Sequence, residues 1–286
     1  MAYEDQKIIS GKKKHTTSFV GHLFKFALEH PNLFDFQIAQ TFEEVLNAYH
    51  LVYQEYLACG YSQPKRSQIH YTYFCLLPDS RTFLLLEKEN RQILGTVSLI
   101  LDSSCGLPIE SLFDRELHSV RKEGRRLAEV TLLSIPTATN EDEIFQAKNV
   151  GKFLAVFSFF RALFQYARNS GVTDLVIAVN PRHEAIYKYL TFESIGPVRA
   201  YPEACGNPAR PMHLDMVQFC NPKFQNDAIQ KYFLAESELP DSHSRPAHWN
   251  SETVAKLFII APSLREDLRS IFETYLMSCP SPFGKK

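Results

Sequence analysis

The chain has 286 residues, 45% hydrophobic and 22% charged, with 31 basic against 32 acidic side chains. That composition excludes a disordered protein, which needs low hydrophobicity and high net charge. A net charge of −1 removes the electrostatic case for wrapping nucleic acid or lying on an anionic membrane. With 22 Phe, 13 Tyr and 11 Gly, large rings are available to line an interior cavity. Cys59, Cys75, Cys105, Cys205, Cys220 and Cys279 form no C-x-x-C pair. No metal site is expected from them, and they read as reduced thiols. The most apolar run, Phe153 to Phe160, stops at Arg161, far short of the ~20 residues of a spanning helix. No apolar signal run follows Lys12, Lys13 and Lys14, so a cytoplasmic protein is expected.

Apolar residues at helical spacing predict a first helix over Ser18 to His30, and Phe34 to Ala39 reads as a strand. Thr41-Phe42-Glu43-Glu44 is a capping box, opening a helix that Gly60 stops after Ala58. Residues 61–80 read as a long loop with one short helix; loops of that length are usually functional or mobile. Thr82–Glu87 and Ile93–Leu101 form a hairpin, residues 108–122 a helix, and Arg126–Ile135 a strand stopped by Pro136. After a polar loop over 136–147, Lys148–Asn169 is a strongly apolar helix. Val172–Val179 is apolar on both faces, as a central parallel strand is. A short helix runs from Asn180-Pro181 to Leu190, and Phe192–Val198 and Met212–Phe219 are the last strands. Beyond Asn221 the pattern is helical, with a second capping box at Ser263–Glu266 opening a helix to Met277. The order predicts an α+β fold: an antiparallel meander leading into β-α-β-α-β, over residues 1–222, with a helical extension over 223–286.

No phosphate-binding glycine loop, nucleophile elbow or H-E-x-x-H motif occurs, and the ten histidines show no ligand spacing. Three segments carry a resemblance instead. Asn180-Pro181-Arg182-His183-Glu184-Ala185-Ile186-Tyr187 resembles the N-P turn and Tyr-bearing short helix of the GNAT superfamily of N-acyltransferases. Its P-R-H-x-x-I-Y form looks like that of bacterial N-acyl amino acid synthases. Leu127-Ala128-Glu129-Val130-Thr131 resembles those synthases' acidic strand, and Tyr49 to Tyr61 their helix before the acceptor loop. The resemblance covers about Phe34 to Phe219. It implies a GNAT-like fold, a mixed and mostly antiparallel central sheet with splayed strands. The related acyl-homoserine-lactone synthases carry arginines where this chain has Val52 and Leu132, which argues against lactone synthesis.

The resemblance implies transfer of a fatty acyl group from acyl carrier protein to the α-amine of an amino acid, with no bound cofactor. Acyl-CoA as donor, or a non-catalytic binding module, stays open. Glu129 is the implied proton acceptor; by its residues alone it points to solvent or pairs with Arg125 or Arg126. Tyr187 is the implied proton donor or else a core ring, and His183 orients the acceptor or caps its helix. Backbone groups of Leu132, Leu133 and Ser134 would receive the pantetheine arm. Gln146 to Gly151 is the nearest match to the superfamily's phosphate loop, with Asn149 in place of its first glycine. That substitution crowds a pyrophosphate, whereas Lys148, Lys152 and Gly151 suit a carrier's single phosphate. Asn180 and Arg182 complete the expected donor side, and Lys188 its basic rim.

Overall fold

The computed structural model describes residues 26–27, 29–30, 34–77, 80–136, 150–221, 228–235 and 251–262, with backbone alone at 150–153, 228–229 and 251. In chain order the elements are β1 (Asp35–Ile38), α1 (Phe42–Ala58), β2 (Ser80–Leu86), β3 (Ile93–Leu101), α2 (Glu110–Val120) and β4 (Leu127–Ser134). Then follow α3 (Val150–Asn169), β5 (Asp174–Val179), α4 (Glu184–Tyr189), β6 (Glu193–Ser194), β7 (Arg199–Tyr201) and β8 (Asn207–Asp215). Last come α5 (Met216–Phe219), α6 (Ala228–Leu234) and α7 (Ser251–Ile260).

The sheet order is β1-β2-β3-β4-β5-β8-β6, with β7 also on β8. Each described pairing is antiparallel except β4 with β5, which α3 crosses over to join in parallel. Local chemistry explains the elements. At the start of α1, Glu44 N donates to Thr41 Oγ1 at 3.2 Å and Thr41 N to Glu44 Oε2 at 3.0 Å. Two otherwise orphaned donors are thereby satisfied. Gly60, at φ +73, takes the left-handed turn that ends the helix. One stripe of α1 is buried: Val45, Ala48, Tyr49, Val52 and Tyr53, at the 3–4 residue spacing of a packed face.

Two apolar layers flank the sheet. On one face α3 contributes Phe157, Phe160 and Phe164, which meet Phe192, Phe219 and Phe233 of neighbouring segments. On the other face α1, α2 and Leu257 of α7 pack on Leu84, Ile100, Leu127 and Val176. Residues of the expected C-terminal extension thus enter both layers: Phe233 of α6 on the α3 face and Leu257 on the α1 face.

The last strands differ from the sequence expectation. The stretch expected as a strand over Phe192–Val198 pairs only at Glu193 and Ser194. The final strand is Asn207–Asp215, displaced from the expected Met212–Phe219. Asp215 ends it by capping α5, its Oδ1 accepting from Gln218 N at 2.9 Å. Pro208 and Pro211 read as loop residues, yet both pair in β8. Pro211 still serves the sheet through its carbonyl, which accepts from Ile195 N at 3.0 Å. The expected helix over Ser18–His30 falls mostly outside the described residues; the 136–147 loop, beyond Pro136, and the Ser263–Glu266 box lie wholly outside them.

Candidate active site

β4 and β5 pair only at Leu127–Asp174, Ala128–Leu175 and Glu129–Val176. Beyond those three pairs each strand stays tied to its outer neighbour, β3 or β8, while the two inner edges part. β4 is bulged where they separate. Three steps from Thr131 to Ser134 oppose two steps from Ser98 to Thr96, so one residue is extra. Leu132 carries the bend at φ +53, a left-handed conformation that an L side chain resists. Gly95 lies opposite; a Cβ there would come within 3.1 Å of Ser134 O and 3.0 Å of the Phe159 ring, so any larger residue would have to push these neighbours back by a few tenths of an ångström.

The gap opens into a cavity of about 690 Å3. It passes between the strands, so its walls belong to both faces of the sheet. Val130, Leu133, Ile135, Val156, Ile177 and Ile186 make the α3 side apolar. The α1 side is polar and aromatic. Tyr56, Tyr61, Tyr71, Tyr73 and Tyr201 line it with Lys65 and His70.

Glu129 belongs to the polar side. Strand alternation puts it with Leu127 on the α1 face, whereas Ala128 and Val130 face α3. It is 2% exposed, and Oε2 accepts from Ile109 N at 2.8 Å. Burial pushes its carboxyl up to about 8; the Ile109 N–H works against that shift and the charge of Glu110 adds to it. The alternative partners are engaged elsewhere or absent from its contacts. Arg125 pairs with Asp174 and Asp215, and Glu110 is held by Arg121. Among the described residues neither a solvent-facing Glu129 nor a pair of Glu129 with Arg125 or Arg126 is present.

Tyr187 lines the cavity and is buried, edge-on to Phe160 and Phe192. Burial, and then the nearby Tyr61, raise its hydroxyl pKa, which keeps it protonated. It is both a cavity residue and a core ring. His183 also lines the cavity. It occupies the N-cap position of α4 but makes no side-chain cap bond, so the capping role does not hold. Asn180 caps the preceding turn, its Oδ1 accepting from Arg182 N at 3.1 Å. Arg182 reaches across the mouth, donating from Nη2 to Tyr61 Oη at 2.6 Å.

Glu129, Leu132, Leu133, Ser134, Asn180, His183 and Tyr187 therefore line one cavity. Ser134 is 3% exposed, and among the described residues its Oγ has no hydrogen-bond partner. Gly151 and Lys152 lie in the first turn of α3, and Lys148 and Asn149 fall outside the described residues. Lys188 is tied to Glu184 at 2.8 Å. Sequence reasoning assigned no role to Lys65, His70 or Tyr201. Burial, and then the charge of Lys65, hold the His70 imidazole down at about 4, and its ring lies 4.7 Å from that of Tyr56. The one signal for Lys65 and His70 was the unusual length of their loop.

A parallel pair that opens beside a bulge, in an otherwise antiparallel sheet, with a buried acid in the opening, defines a GNAT-type N-acyltransferase. The chain belongs to the N-acyl amino acid synthase FeeM family, whose model matches residues 47–215. It is similar to the solved structure of FeeM, an N-acyl amino acid synthase from uncultured soil microbes. Identity there is 27% and the TM-score 0.54, over 65% of this chain and 91% of that one. The acyl-homoserine-lactone synthase LasI shows 15% identity and a TM-score of 0.49, over 71% and 98% of the two chains. No curated protein matches at a significant level. Val52 and Leu132, which replace the lactone synthases' arginines, are both buried among apolar side chains here. Among the described residues no helix is long and apolar enough to cross a membrane.

Proposed function

We propose that this N-acyltransferase moves a fatty acyl group from an acyl carrier protein thioester to the α-amine of an amino acid, in the cytoplasm. The observation that carries the reading is the two-sided cavity: an apolar wall on the α3 face, a polar wall holding Glu129 on the α1 face, and the strand gap between. An acyl chain suits the first wall and a zwitterionic amino acid the second. Residues 1–222 would carry the transfer, with 223–286 as a helical extension.

A free α-amine titrates near ~8 and arrives largely protonated. Before the acceptor binds, Glu129 is itself largely protonated at neutral pH, because burial holds it at about 8. A bound ammonium favours the ionised carboxylate, and the Ile109 N–H already holds that form. Glu129 then takes the ammonium proton and the amine attacks the thioester carbonyl. Main-chain N–H groups freed at the Leu132–Ser134 bulge would face the resulting oxyanion. Collapse expels the thiolate, which takes the Tyr187 hydroxyl proton; the new amide nitrogen returns a proton to Tyr187. His183 orients the acceptor at the mouth.

The donor side rests on the start of α3, where Asn149 stands in place of a glycine. Lys148 and Lys152 would meet the single phosphate of a carrier-bound arm, with Arg182 at the mouth. The test is purified full-length protein with an amino acid and matched acyl-carrier and acyl-CoA donors, read by mass spectrometry. An N-acyl amino acid forms, kcat/KM is higher with the carrier, and Glu129→Gln lowers kcat at least ~100-fold with unchanged circular dichroism. Equal or better efficiency with acyl-CoA replaces the carrier by CoA. Near-wild-type turnover in Glu129→Gln removes Glu129 from the chemistry.

A further inference from the structure

Lys65 is the one Lys or Arg among the described residues lining the cavity, against four carboxylates, Glu55, Glu110, Glu129 and Glu203. Its main chain is fixed, since Lys65 N donates to Tyr53 Oη at 3.0 Å and so ties the loop to α1. Its ammonium is not matched in the same way. Lys65 is exposed; the protein packed around it still lowers its pKa, Cys205 offsets that in part, and no carboxylate does. Glu110, whose charge acts on Glu129, is taken by Arg121. Among the described residues no ion pair joins it to any of the four acids, so an anion entering the cavity would find it without a carboxylate partner.

The polar wall connects this cation to Glu129. Lys65 acts on His70, the His70 ring sits against Tyr56, and Tyr201 lies in the fields of both Tyr56 and Glu129. Lys65, His70, Tyr56, Tyr201 and Glu129 thus line one cavity, the cation and the acid linked through this chain of neighbours. The donor's phosphate is expected at the start of α3, on the opposite face.

We propose that Lys65 binds the α-carboxylate of the acceptor, so that the amino acid lies between this cation and Glu129 with its amine at the strand gap. The assignment rests on the amino-acid acceptor proposed above and adds the residue that reads its acidic end. It makes Lys65 a specificity determinant: an amine without a carboxylate loses one of its two anchors.

The test compares wild type, Lys65→Met and Lys65→Arg with an L-amino acid and with its carboxamide, whose amine is retained and whose negative charge is lost. Lys65→Met should raise KM for the amino acid about tenfold with kcat little changed, as loss of one charge-assisted contact does. KM for the carboxamide should move less than about twofold, and Lys65→Arg should restore most of the amino-acid affinity. Wild-type product together with an unchanged amino-acid KM in Lys65→Met overturns the Lys65 assignment alone. A rise confined to the donor KM also overturns it, placing Lys65 on the donor phosphate. Failure of the wild-type protein to acylate any amino acid with either donor overturns the proposed function, and this assignment with it.

Discussion

The two ends of the β4–β5 pair are built on opposite terms. At the closed end Asp174 is 1% exposed and fully engaged. Arg125 Nε donates to it at 2.6 Å, Thr173 Oγ1 at 2.6 Å, and His213 Nε2 lies 2.7 Å away. Burial opposes its ionisation, but the bonds from His213, Arg125 and Thr173 outweigh that and hold the carboxyl at about 2. At the open end Glu129 is also shielded from solvent and lies deeper, with one bond among the described residues, from Ile109, and its carboxyl is pushed up to about 8. The two acids start their opposition only two residue pairs apart along the same ladder. Depth and partners together separate the two: Glu129 lies further inside the protein and has fewer groups to stabilise its charge. Around Glu129 the frame also keeps a left-handed Leu132 and a Ser134 hydroxyl with no partner among the described residues, features that stable packing removes and functional sites retain.

That contrast can be broken most severely at its closed end. Asp174→Asn should destabilise the fold by about 3 kcal/mol, roughly 6–12 °C in Tm, because it strands partly buried cations. Its depressed pKa fixes the sign with pH. The stabilisation is present above the unfolded value near ~4 and is lost as pH falls toward 2. Thermal melts from pH 7 to pH 2 should therefore show an acid limb in the wild type that is shallower in Asp174→Asn; parallel curves would refute the assignment. Glu129 should behave in the reverse sense. Its raised pKa means that stability is full below its unfolded value and is lost as pH rises through about 8. Glu129→Gln should gain stability over the wild type between pH 5 and pH 9, by on the order of 2 kcal/mol. A difference that stays flat across that range would show that Glu129 is not held neutral. The smallest effect concerns Thr191, an exposed residue at φ +64 after the helix that carries Tyr187. A β-branched residue resists this conformation by ~1–2 kcal/mol, and glycine gives back part of that gain in the unfolded chain. Thr191→Gly should raise Tm by about 1–3 °C; a fall would mean that the Thr side chain makes a contribution of its own.

What the sequence discloses follows how local the cause is. The Thr41–Glu44 box, the Gly60 stop, the hairpin and the parallel strand each depend on residues a few positions apart, and each is present. Strand β8 is displaced from the expectation because Pro208 and Pro211 look like loop residues until the strands they pair with are known. Glu129 and the Asn180–Tyr187 segment were found through a family motif. The polar wall was not, because its members meet only in three dimensions. Arg182 and Tyr61 are 121 positions apart, and Asn207 Nδ2 reaches Gly60 O across 147. No spacing rule joins Lys65 to Glu129, and the bulge at Leu132 comes from register with β3, which an apolar run of Leu and Val does not reveal.

The bulge has a consequence for how such a site changes over generations. On the reading proposed here, the groups that meet the oxyanion belong to the main chain, and every amino acid but proline carries the same N–H. Point mutations at Leu132, Leu133 or Ser134 then reshape the wall against which an acyl chain lies without deleting the donors that serve the reaction. Chemistry and chain-length preference become separately heritable, the first in backbone geometry and the second in side-chain size. Divergence to 27% identity from FeeM is then free to rewrite the walls of the cavity while the part of the reaction entrusted to the backbone persists.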